Sequence, residues 1–402
     1  MPQARQDVEF AADRGRVFGL ALKTGILTVL TLGIYRFWMK TRLRRVYWSG
    51  IRPGGVPLEY LGQPIEKLLG FLIAVVILAF YLGIVNLILV YASFSLFSGN
   101  SVAYALSGFG AVPIWFYARY RAHRYVLART RWRGIRFELE PAAWQYAWRG
   151  LFYWGLTIVS LGTLWPLKTF ALEKFKTDRT WFGTAKLHQG GRWTMLFVPF
   201  IPVWAISIAI VAIGGVAIAE GFEYFIFFDS DLWELVPLVI GLCLLWPFAA
   251  VAYTTVAWRR LLRTKTVGGV GFEAKPNMAR VAVIYALGYF LVILVVSLAS
   301  GILGAGLAGA TFGTLDFEEA VATGEVTTPF FVTALSVILY FTIFVLWAAL
   351  RHAFVLIPLW THLATRTTLT GATALALIRQ RDVTANADAE GFAEALDLGA
   401  AI

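Results

Sequence analysis

Residues 281–310 read VAVIYALGYFLVILVVSLASGILGAGLAGA and contain no Asp, Glu, Lys, Arg or His. A helix rises about 1.5 Å per residue, so this stretch extends about 45 Å, more than the roughly 30 Å hydrocarbon core of a bilayer. The stretch therefore predicts a membrane-spanning helix.

The composition extends this prediction to the whole chain. Of the 402 residues, 59% are hydrophobic and 15% are charged, and the mean hydropathy is +0.69. A soluble protein carries roughly 25% charged residues. Residues 1–16 are polar and lack the apolar stretch of a secretory signal. Insertion is therefore expected to depend on the spans themselves.

Long runs without charged residues or His predict the number of crossings. The first run is interrupted by Ser98-Gly99-Asn100-Ser101, a turn-like sequence, and so predicts two helices. We therefore predict an all-α membrane protein with six transmembrane helices arranged as three hairpins. The five runs are 68–118, 193–219, 235–257, 281–310 and 326–350.

Two shorter apolar stretches, 24–35 and 150–167, raise the question of further crossings. Basic residues near span ends favour the cytoplasmic side, and all 35 Lys and Arg residues lie outside three connections between runs. If either short stretch crossed, basic loops would lie on both sides. We therefore expect segments 16–36 and 150–167 to be re-entrant or interfacial and both termini to be cytoplasmic. Ordinary spans that disobey the charge bias are the alternative. The three connections are 98–101, 220–234 and 311–325.

The two short stretches also resemble each other. Thr28-Val-Leu-Thr-Leu-Gly33 aligns with Thr157-Ile-Val-Ser-Leu-Gly162, and each is followed by a basic stretch. The likeness predicts an internal duplication within one polytopic domain. The predicted repeats are about 15–120, 148–258 and, abridged, 270–366, followed by an acidic cytoplasmic tail at 382–402.

A second pattern recurs where the chain returns to the basic side. A basic helix end is followed by Thr, a Gly turn and a short run, most clearly in residues 129–139. There Ile135, Phe137 and Leu139 alternate with polar residues, as is typical of strands. These segments predict short cytoplasmic strands that either pair into a small cap or remain independent loops. Related segments begin at Arg179, Arg263 and Arg366, with a looser relative at Gly54.

One stretch resembles the YjgN-like family of bacterial inner-membrane proteins. It runs from Phe18-Gly19 through Thr31-Leu-Gly-Ile-Tyr-Arg-Phe-Trp38 and the basic residues up to Arg45, and is followed by Leu58-Glu-Tyr60. The recurring Thr-x-x-x-Gly-x-x-Phe unit is also similar to that family's pattern, and the likeness extends over most of the chain. The family is a domain of unknown function. The resemblance therefore implies the fold and an inner-membrane location, but no reaction, cofactor or site residues.

No catalytic or metal-binding pattern stands out. The four His residues lack the spacing of a metal site, and the single Cys243 lies in an apolar run. We therefore expect no cofactor and no enzymatic activity. The candidate polar path is Asn86, within an apolar run, although an ordinary interhelical hydrogen bond would also account for it.

Two basic clusters with interleaved aromatic residues are candidate contacts for an anionic lipid or ligand. In a membrane protein such clusters favour anionic headgroups rather than nucleic acid, with Trp and Tyr at the interface. Topology-determining charge alone is the alternative. The candidate contacts are Arg42, Arg44, Arg45, Arg129, Arg131 and Arg133.

Small residues crowd the stretch from Gly301 to Ala310, where small-xxx-small spacing allows close helix approach. It predicts either packing within the chain or a homo-oligomer. For function, we expect transport or channel-like handling of a lipid-like or small anionic substrate, by analogy with the broken helices of transporters. The alternative is a non-transporting scaffold or assembly factor with a basic cytoplasmic docking face.

Overall fold

The computed structural model describes residues 5–97, 101–219, 236–312 and 330–381. Of the three predicted connections, residues 98–100, 220–234 and 313–325 lie outside these ranges, as does the tail at 382–402. The helices are α1 (Arg14–Leu30), α2 (Arg36–Gly50), α3 (Pro64–Phe80), α4 (Asn86–Phe97), α5 (Ser101–Ala128), α6 (Ala143–Val159), α7 (Trp165–Thr177), α8 (Phe197–Ala219), α9 (Val236–Arg263), α10 (Met278–Phe312), α11 (Phe330–Arg351) and α12 (Ile357–Thr365). The strands are β1 (Gln6–Phe10), β2 (Ile51–Pro53), β3 (Leu58–Tyr60), β4 (Thr130–Trp132), β5 (Ile135–Leu139), β6 (Thr180–Phe182), β7 (Ala185–Gln189), β8 (Lys265–Val267), β9 (Val270–Ala274) and β10 (Thr367–Thr370).

The short strands form one sheet, so of the two predicted alternatives the paired strands are confirmed and the independent loops are wrong. The sheet has ten strands, neighbouring strands are antiparallel, and the order is β2-β1-β10-β9-β8-β7-β6-β5-β4-β3. Its two edge strands, β2 and β3, are consecutive in the chain. The sheet is therefore a nearly closed barrel.

Each helical segment leaves the sheet and returns to a neighbouring strand. The strands on either side of it pair at their helix ends, as Tyr60 does with Thr130 and Gln189 with Lys265. The described chain repeats this strand–helices–strand unit five times. Every segment thus begins and ends at the same edge of the barrel, and the basic helix ends gather there. The longer repeats at 15–120, 148–258 and 270–366 stay a prediction.

The recurring pattern of a basic helix end, a Thr and a Gly turn, called the Arg-Thr-Gly pattern below, has two structural roles. The Thr hydroxyl that opens a strand donates to a carbonyl in the last helical turn: Thr130 Oγ1 to Val126 O at 2.7 Å and Thr180 Oγ1 to Lys176 O at 2.9 Å. The strand then turns back through a tight hairpin. Between β4 and β5, Arg133 and Gly134 have φ of 53° and 81°, the signs that a type I′ turn requires. The motif therefore ends a helix and starts a hairpin.

The predicted all-α fold with six transmembrane helices is wrong. The described residues contain the ten-stranded sheet and four helices long and apolar enough to cross a membrane, within Trp193–Gly215, Pro237–Arg263, Met278–Gly309 and Val332–Thr365. Within the described part of the first apolar run, the apolar helix at Gly83–Ser95 is shorter than a span, and a π-helical turn at Tyr81–Val85 separates α3 from α4. Only 11–22% of each candidate span is buried. These exposed apolar surfaces indicate a membrane protein.

The two short apolar stretches are the tips of helical hairpins. α1 and α2 meet at the first tip, and α6 and α7 meet at the second. The two turns contain equivalent hydrogen bonds: Gly33 N donates to Thr28 O and Gly162 N donates to Thr157 O, both at 2.7 Å. The apolar residue before each Gly is exposed, at 96% for Leu32 and 73% for Leu161. Segments 16–36 and 150–167 thus belong to helical hairpins that begin and end at the barrel. Their re-entrant or interfacial position in the membrane stays a prediction.

Candidate functional site

The inner face of the barrel divides into an apolar outer end and a polar helix end. Side chains from eight strands, including Trp132, Phe182, Val267 and Leu369, pack into one apolar cluster. Only the inner face of a curled sheet allows so many strands to share one cluster. The next inward-facing position toward the helices is polar in several strands, because alternate residues of a strand share a face. Lys265, two residues before Val267, is one of these.

The chain after β10 fills the outer end of the barrel. A 3₁₀ helix at Ala372–Leu377 contributes to the apolar cluster, as does Ile378. The next residues are tied to the strands, since Thr184 N donates to Arg379 O at 2.9 Å and Arg136 N to Gln380 Oε1 at 2.8 Å. The C-terminal segment 371–381 thus seals the barrel on the side away from the helices.

A charged cluster occupies the helix end of the barrel, on the other side of this seal. Glu173 of α7 accepts from Lys265 Nζ at 2.6 Å through Oε1, and Lys176 Nζ lies 2.8 Å from Glu173 Oε2. The carboxylate therefore bridges β8 to the last turns of α7. His123 of α5 interacts electrostatically with Glu173, Lys176 and Lys265, and also with Arg119 of its own helix.

The pKa values in the cluster reflect burial and mutual charge. Burial is the largest influence on His123 and, with the nearby Lys176, Lys265 and Arg119, lowers its pKa to about 3, so the imidazole is neutral at pH 7. Burial alone would raise the pKa of Glu173, but Lys176 and Lys265 hold it well below its usual value. One carboxylate thus faces two ammonium groups, and these three side chains together carry a net positive charge.

The cluster is enclosed but not sealed from water. Lys265, Lys176 and Glu173 keep 19%, 20% and 27% of their side-chain surface exposed. Enclosed charges that keep a water-contacting surface are able to bind a small ion or a charged headgroup, since the low-dielectric walls strengthen the attraction. This arrangement is the candidate functional site.

The first predicted basic cluster is used mainly in packing α2 against its surroundings. Arg44 is only 4% exposed, and its Nη1 lies 3.4 Å from Tyr60 Oη. Arg45 Nη2 donates to Gly62 O at 3.0 Å, and Arg42 lies over the Tyr35 ring at 5.6 Å. The structure does not gather these three guanidinium groups into one pocket.

The second predicted basic cluster is largely paired with acids. Arg129 Nη2 lies 2.9 Å from Glu66 Oε1, and Arg131 Nη2 lies 2.5 Å from Glu59 Oε2. Arg133 stands in the β4–β5 turn and lies 5.7 Å from the Trp132 ring centre. The role of these arginines as lipid contacts stays a prediction.

The predicted polar path is not joined to the charged cluster by any contact within the described residues. Asn86 is the first residue of α4 and its backbone N–H donates to Tyr81 O. Its Oδ1 is buried and accepts no hydrogen bond from the part of the chain that the structure describes. The alternative interhelical hydrogen bond is therefore not formed by this oxygen there.

Two other predicted features can be placed. A side chain added at Gly301, Gly304 or Gly306 would meet nothing within 4 Å, so this face of α10 does not pack closely on the described chain. The predicted homo-oligomer stays a prediction. Within the four described ranges, no group of three or more His, Cys, Asp or Glu side chains is placed to hold a metal ion.

Sequence reasoning missed Glu173, Lys176, Lys265 and His123 because no local motif connects them. One signal was available: Lys265 and Val267 are two residues apart at the start of a predicted strand, which places both side chains on the same face of that strand. Recognising the cluster also required knowing that β8 lies two strands from β6, which follows α7.

Comparison with known proteins gives one match. The sequence model of a family described as bacterial protein of unknown function (DUF898) matches residues 5–395. No curated protein and no solved structure matches the chain.

Proposed function

Because the chain belongs to the DUF898 family of bacterial proteins of unknown function, which is the YjgN family identified from the sequence, we propose that it is a multi-pass protein of the bacterial inner membrane. The barrel and both termini lie on the cytoplasmic side. The basic residues support this orientation, because Lys and Arg near span ends favour the cytoplasm and the helix ends that carry them join the barrel strands. The exposed hairpin tips at Leu32 and Leu161 lie in the cytoplasmic leaflet.

The molecular activity we propose is transport or channel-like handling of a small anion or an anionic lipid-like substrate, without enzymatic chemistry. The observation that carries this proposal is the net positive cluster of Glu173, Lys176 and Lys265 at the helix end of the barrel. Rings or clusters of Lys and Arg select anions in pores. Glu173 holds both ammonium groups in place, and its single negative charge leaves an attraction for an anion.

Passage through the barrel requires the outer seal to open. In this structure the apolar cluster and segment 371–381 fill the outer end. In the proposed orientation this conformation is closed on the cytoplasmic side, and an anion in the cluster would be held between segment 371–381 and the helices. Movement of segment 371–381 out of the barrel would open a path between the cluster and the cytoplasm.

Anion flux into proteoliposomes tests this proposal. The purified protein, reconstituted in phosphatidylcholine, is expected to raise uptake of chloride or phosphate several-fold above empty vesicles. The triple variant Glu173→Gln/Lys176→Gln/Lys265→Gln removes every charge of the triad while keeping its shape, and is expected to lose most of that flux. The control Lys186→Gln removes an exposed lysine that pairs with Glu140 on the barrel exterior and is expected to retain it. Equal flux from all three proteins would overturn the transport proposal and favour the scaffold.

A further inference from the structure

Two cationic side chains stand at equivalent positions on α5 and α7. Arg119 is nine residues before Ala128, the last residue of α5, and Lys168 is nine residues before Thr177, the last residue of α7. Both helices end at the barrel. Because a helix rises about 1.5 Å per residue, the two side chains start from the same level, about 14 Å from the barrel edge.

The two helices are close enough for these side chains to reach one ligand. α5 leads into β4 and α7 leads into β6, and only β5 lies between those strands in the sheet. Strands are spaced about 4.8 Å apart, so the barrel ends of α5 and α7 are about 10 Å from each other. Helix α6 packs against both through one apolar cluster that contains Phe116, Tyr146 and Phe175. An anion between the two helices is therefore within reach of both Arg119 and Lys168.

The surrounding helices supply no carboxylate to this pair. α5, α6 and α8 contain no Asp or Glu, and the one acid of α7, Glu173, binds Lys176 and Lys265. Within the described ranges, the side chains of Arg119 and Lys168 form neither an ion pair nor a hydrogen bond. Their charges are therefore not neutralised by the part of the chain that the structure describes.

Each cation lies against an indole ring of its own helix. Lys168 Nζ lies 3.2 Å from the ring centre of Trp165, and Arg119 Cζ lies 5.3 Å from that of Trp115. Each Trp precedes its cation by about one helical turn, on the side away from the barrel, and the two are 42% and 40% exposed. Trp residues concentrate at the membrane interface, so the pair lies at the level of lipid headgroups.

The apolar sequence ends at the same two residues. Residues 101–118 of α5 contain no charged side chain before Arg119, and residues 150–167 contain none before Lys168. Charged residues are costly within the hydrocarbon core and collect where a helix leaves it. The sequence thus places both cations where the phosphate groups of a bilayer lie.

Lys168 is nevertheless almost fully buried. It is only 9% exposed, and removing an ammonium group from water without a counter-ion is costly. Burial, followed by the charge of Arg119, lowers the pKa of Lys168 to about 8, so the side chain is still mostly protonated at pH 7. The fold therefore keeps a positive charge in an enclosed position where a bound anion would compensate for the lost water.

We propose that Arg119 and Lys168 bind a phosphate group between α5 and α7. The planar guanidinium of Arg119 matches two phosphate oxygens, and the ammonium of Lys168 acts as a point charge. The phosphate belongs either to an anionic phospholipid of the cytoplasmic leaflet or to a free anion. The site does not rest on the proposed transport, since it uses none of Glu173, Lys176 and Lys265 and requires no movement of segment 371–381.

Titration calorimetry of the full-length protein in a neutral detergent tests the site. The probes are short-chain phosphatidylglycerol, short-chain phosphatidylcholine and inorganic phosphate. Arg119→Gln/Lys168→Gln is expected to bind phosphatidylglycerol or phosphate at least ten-fold more weakly than the unmodified protein. The matched control Arg136→Gln/Lys186→Gln removes the same two residue types from exposed positions on β5 and β7 and is expected to bind like the unmodified protein.

A single variant keeps the test decisive if the double variant does not fold. Lys168→Met keeps the length of the side chain and removes the buried charge, so its Tm without ligand is expected to equal or exceed that of the unmodified protein. It is expected to bind several-fold more weakly. Arg119→Lys retains the charge at an exposed position and is expected to bind within a few-fold of the unmodified protein.

The three probes also identify the source of the phosphate. Binding of phosphatidylglycerol, with weaker binding of phosphatidylcholine and none of inorganic phosphate, supports the site and assigns it to a lipid headgroup. Binding of inorganic phosphate alone supports the site and assigns it to a free anion. In both cases Arg119→Gln/Lys168→Gln must remove the binding.

Three results overturn the site. The first is that neither phosphatidylglycerol nor inorganic phosphate binds the unmodified protein. The second is equal affinity in the unmodified protein and both double variants, which would place the binding elsewhere. The third is a Tm of Lys168→Met well below that of the unmodified protein, which would show that the protein itself compensates the charge of Lys168.

Discussion

Lys265 and Glu173 are 92 positions apart in the sequence, yet Lys265 Nζ lies 2.6 Å from Glu173 Oε1. The contact joins the first residue of β8 to the end of α7, and Lys176 binds the other carboxylate oxygen at 2.8 Å. One side chain therefore neutralises part of the charge at the helix end of the barrel and ties two of the five units together.

Glu173→Gln is expected to destabilise the fold. The substitution leaves Lys176 and Lys265 facing each other without a counter-ion, and breaking a buried ion pair costs about 3–5 kcal/mol. Because Glu173 keeps 27% of its side-chain surface exposed, the expected loss is smaller, about 2 kcal/mol after allowing for solvent screening. Thermal unfolding in detergent measures it.

The matched control is Glu59→Gln, which breaks the pair with Arg131. Glu59 is 49% exposed, and a surface pair contributes about 0–1 kcal/mol. A similar Tm for both variants would show that the Glu173 pair is no stronger than a surface one.

His123 is expected to make stability depend on pH. Its pKa falls from 6.5 in the unfolded chain to about 3 in the fold, so the unfolded chain binds the extra proton between these values. Stability contributed by the neutral imidazole is therefore complete above pH 6.5 and is lost as pH falls toward 3. From pH 6.5 to pH 5 the loss is about 2 kcal/mol.

Comparing Tm at pH 7 and pH 5 tests this expectation. His123→Gln is expected to show a smaller decrease than the unmodified protein, because glutamine does not titrate. The control is His188→Gln, since the His188 side chain is 67% exposed. The groups that face His123 are Lys176, Glu173, Lys265 and Arg119. An identical pH dependence in all three proteins would contradict the assignment of the effect to His123.

The hairpin tips are expected to contact lipid. In a Cys243→Ser background, a fluorophore on Leu161→Cys should report an apolar environment and be quenched by brominated acyl chains, since Leu161 is an exposed apolar residue at the α6–α7 turn. The same fluorophore on Thr266→Cys, an exposed position of β8 on the barrel, should be quenched much less. Equal quenching at both positions would place the tip outside the membrane.

The local elements could be predicted from the sequence better than their assembly. The Arg-Thr-Gly segments predicted strands at β4 to β10 because alternation and turn residues are local signals. Their pairing partners were not predictable, since a three-residue strand carries no register information and β1 pairs with β10, where Gln6 lies opposite Leu369. Only the helical segments between the strands bring such distant residues together.

The pairing of charges has the same origin. Arg129 and Arg131 were predicted as contacts for an anionic lipid or ligand, which stays a prediction, and the structure pairs them with Glu66 and Glu59 from an earlier part of the chain. Conversely, Lys176 and Lys265 form a cluster only because both bind Glu173, which is 92 positions from Lys265 in the sequence. Charge counting along the sequence identified the basic side of the molecule, but not which of its charges are paired.

Gly183 is expected to control how firmly segment 371–381 seals the barrel. A Cβ at Gly183 would collide with the Arg379 carbonyl and lie 2.8 Å from Ile135 Cγ2, so Gly183→Ala should displace the segment. Gly134→Ala is the matched control, because Gly134 also has a positive φ, 81° against 56°, but its Cβ would meet nothing within 4 Å. Both variants carry the backbone cost of about 1 kcal/mol for a residue other than glycine in this region, so the difference between them reports the collision alone.

Limited trypsin digestion provides the readout, since Arg379 and Arg381 lie at the end of the segment. Arg379 N is held by Thr184 Oγ1 at 3.3 Å, and the Arg381 guanidinium lies 5.0 Å from the Trp181 ring centre. Gly183→Ala is expected to be cut there several-fold faster than Gly134→Ala, because cleavage requires the backbone to leave the barrel. If both variants are cut at the same rate, the contact between Gly183 and Arg379 does not hold the seal, and closure must depend on the other contacts of the segment, among them the apolar packing of Leu375 and Ile378.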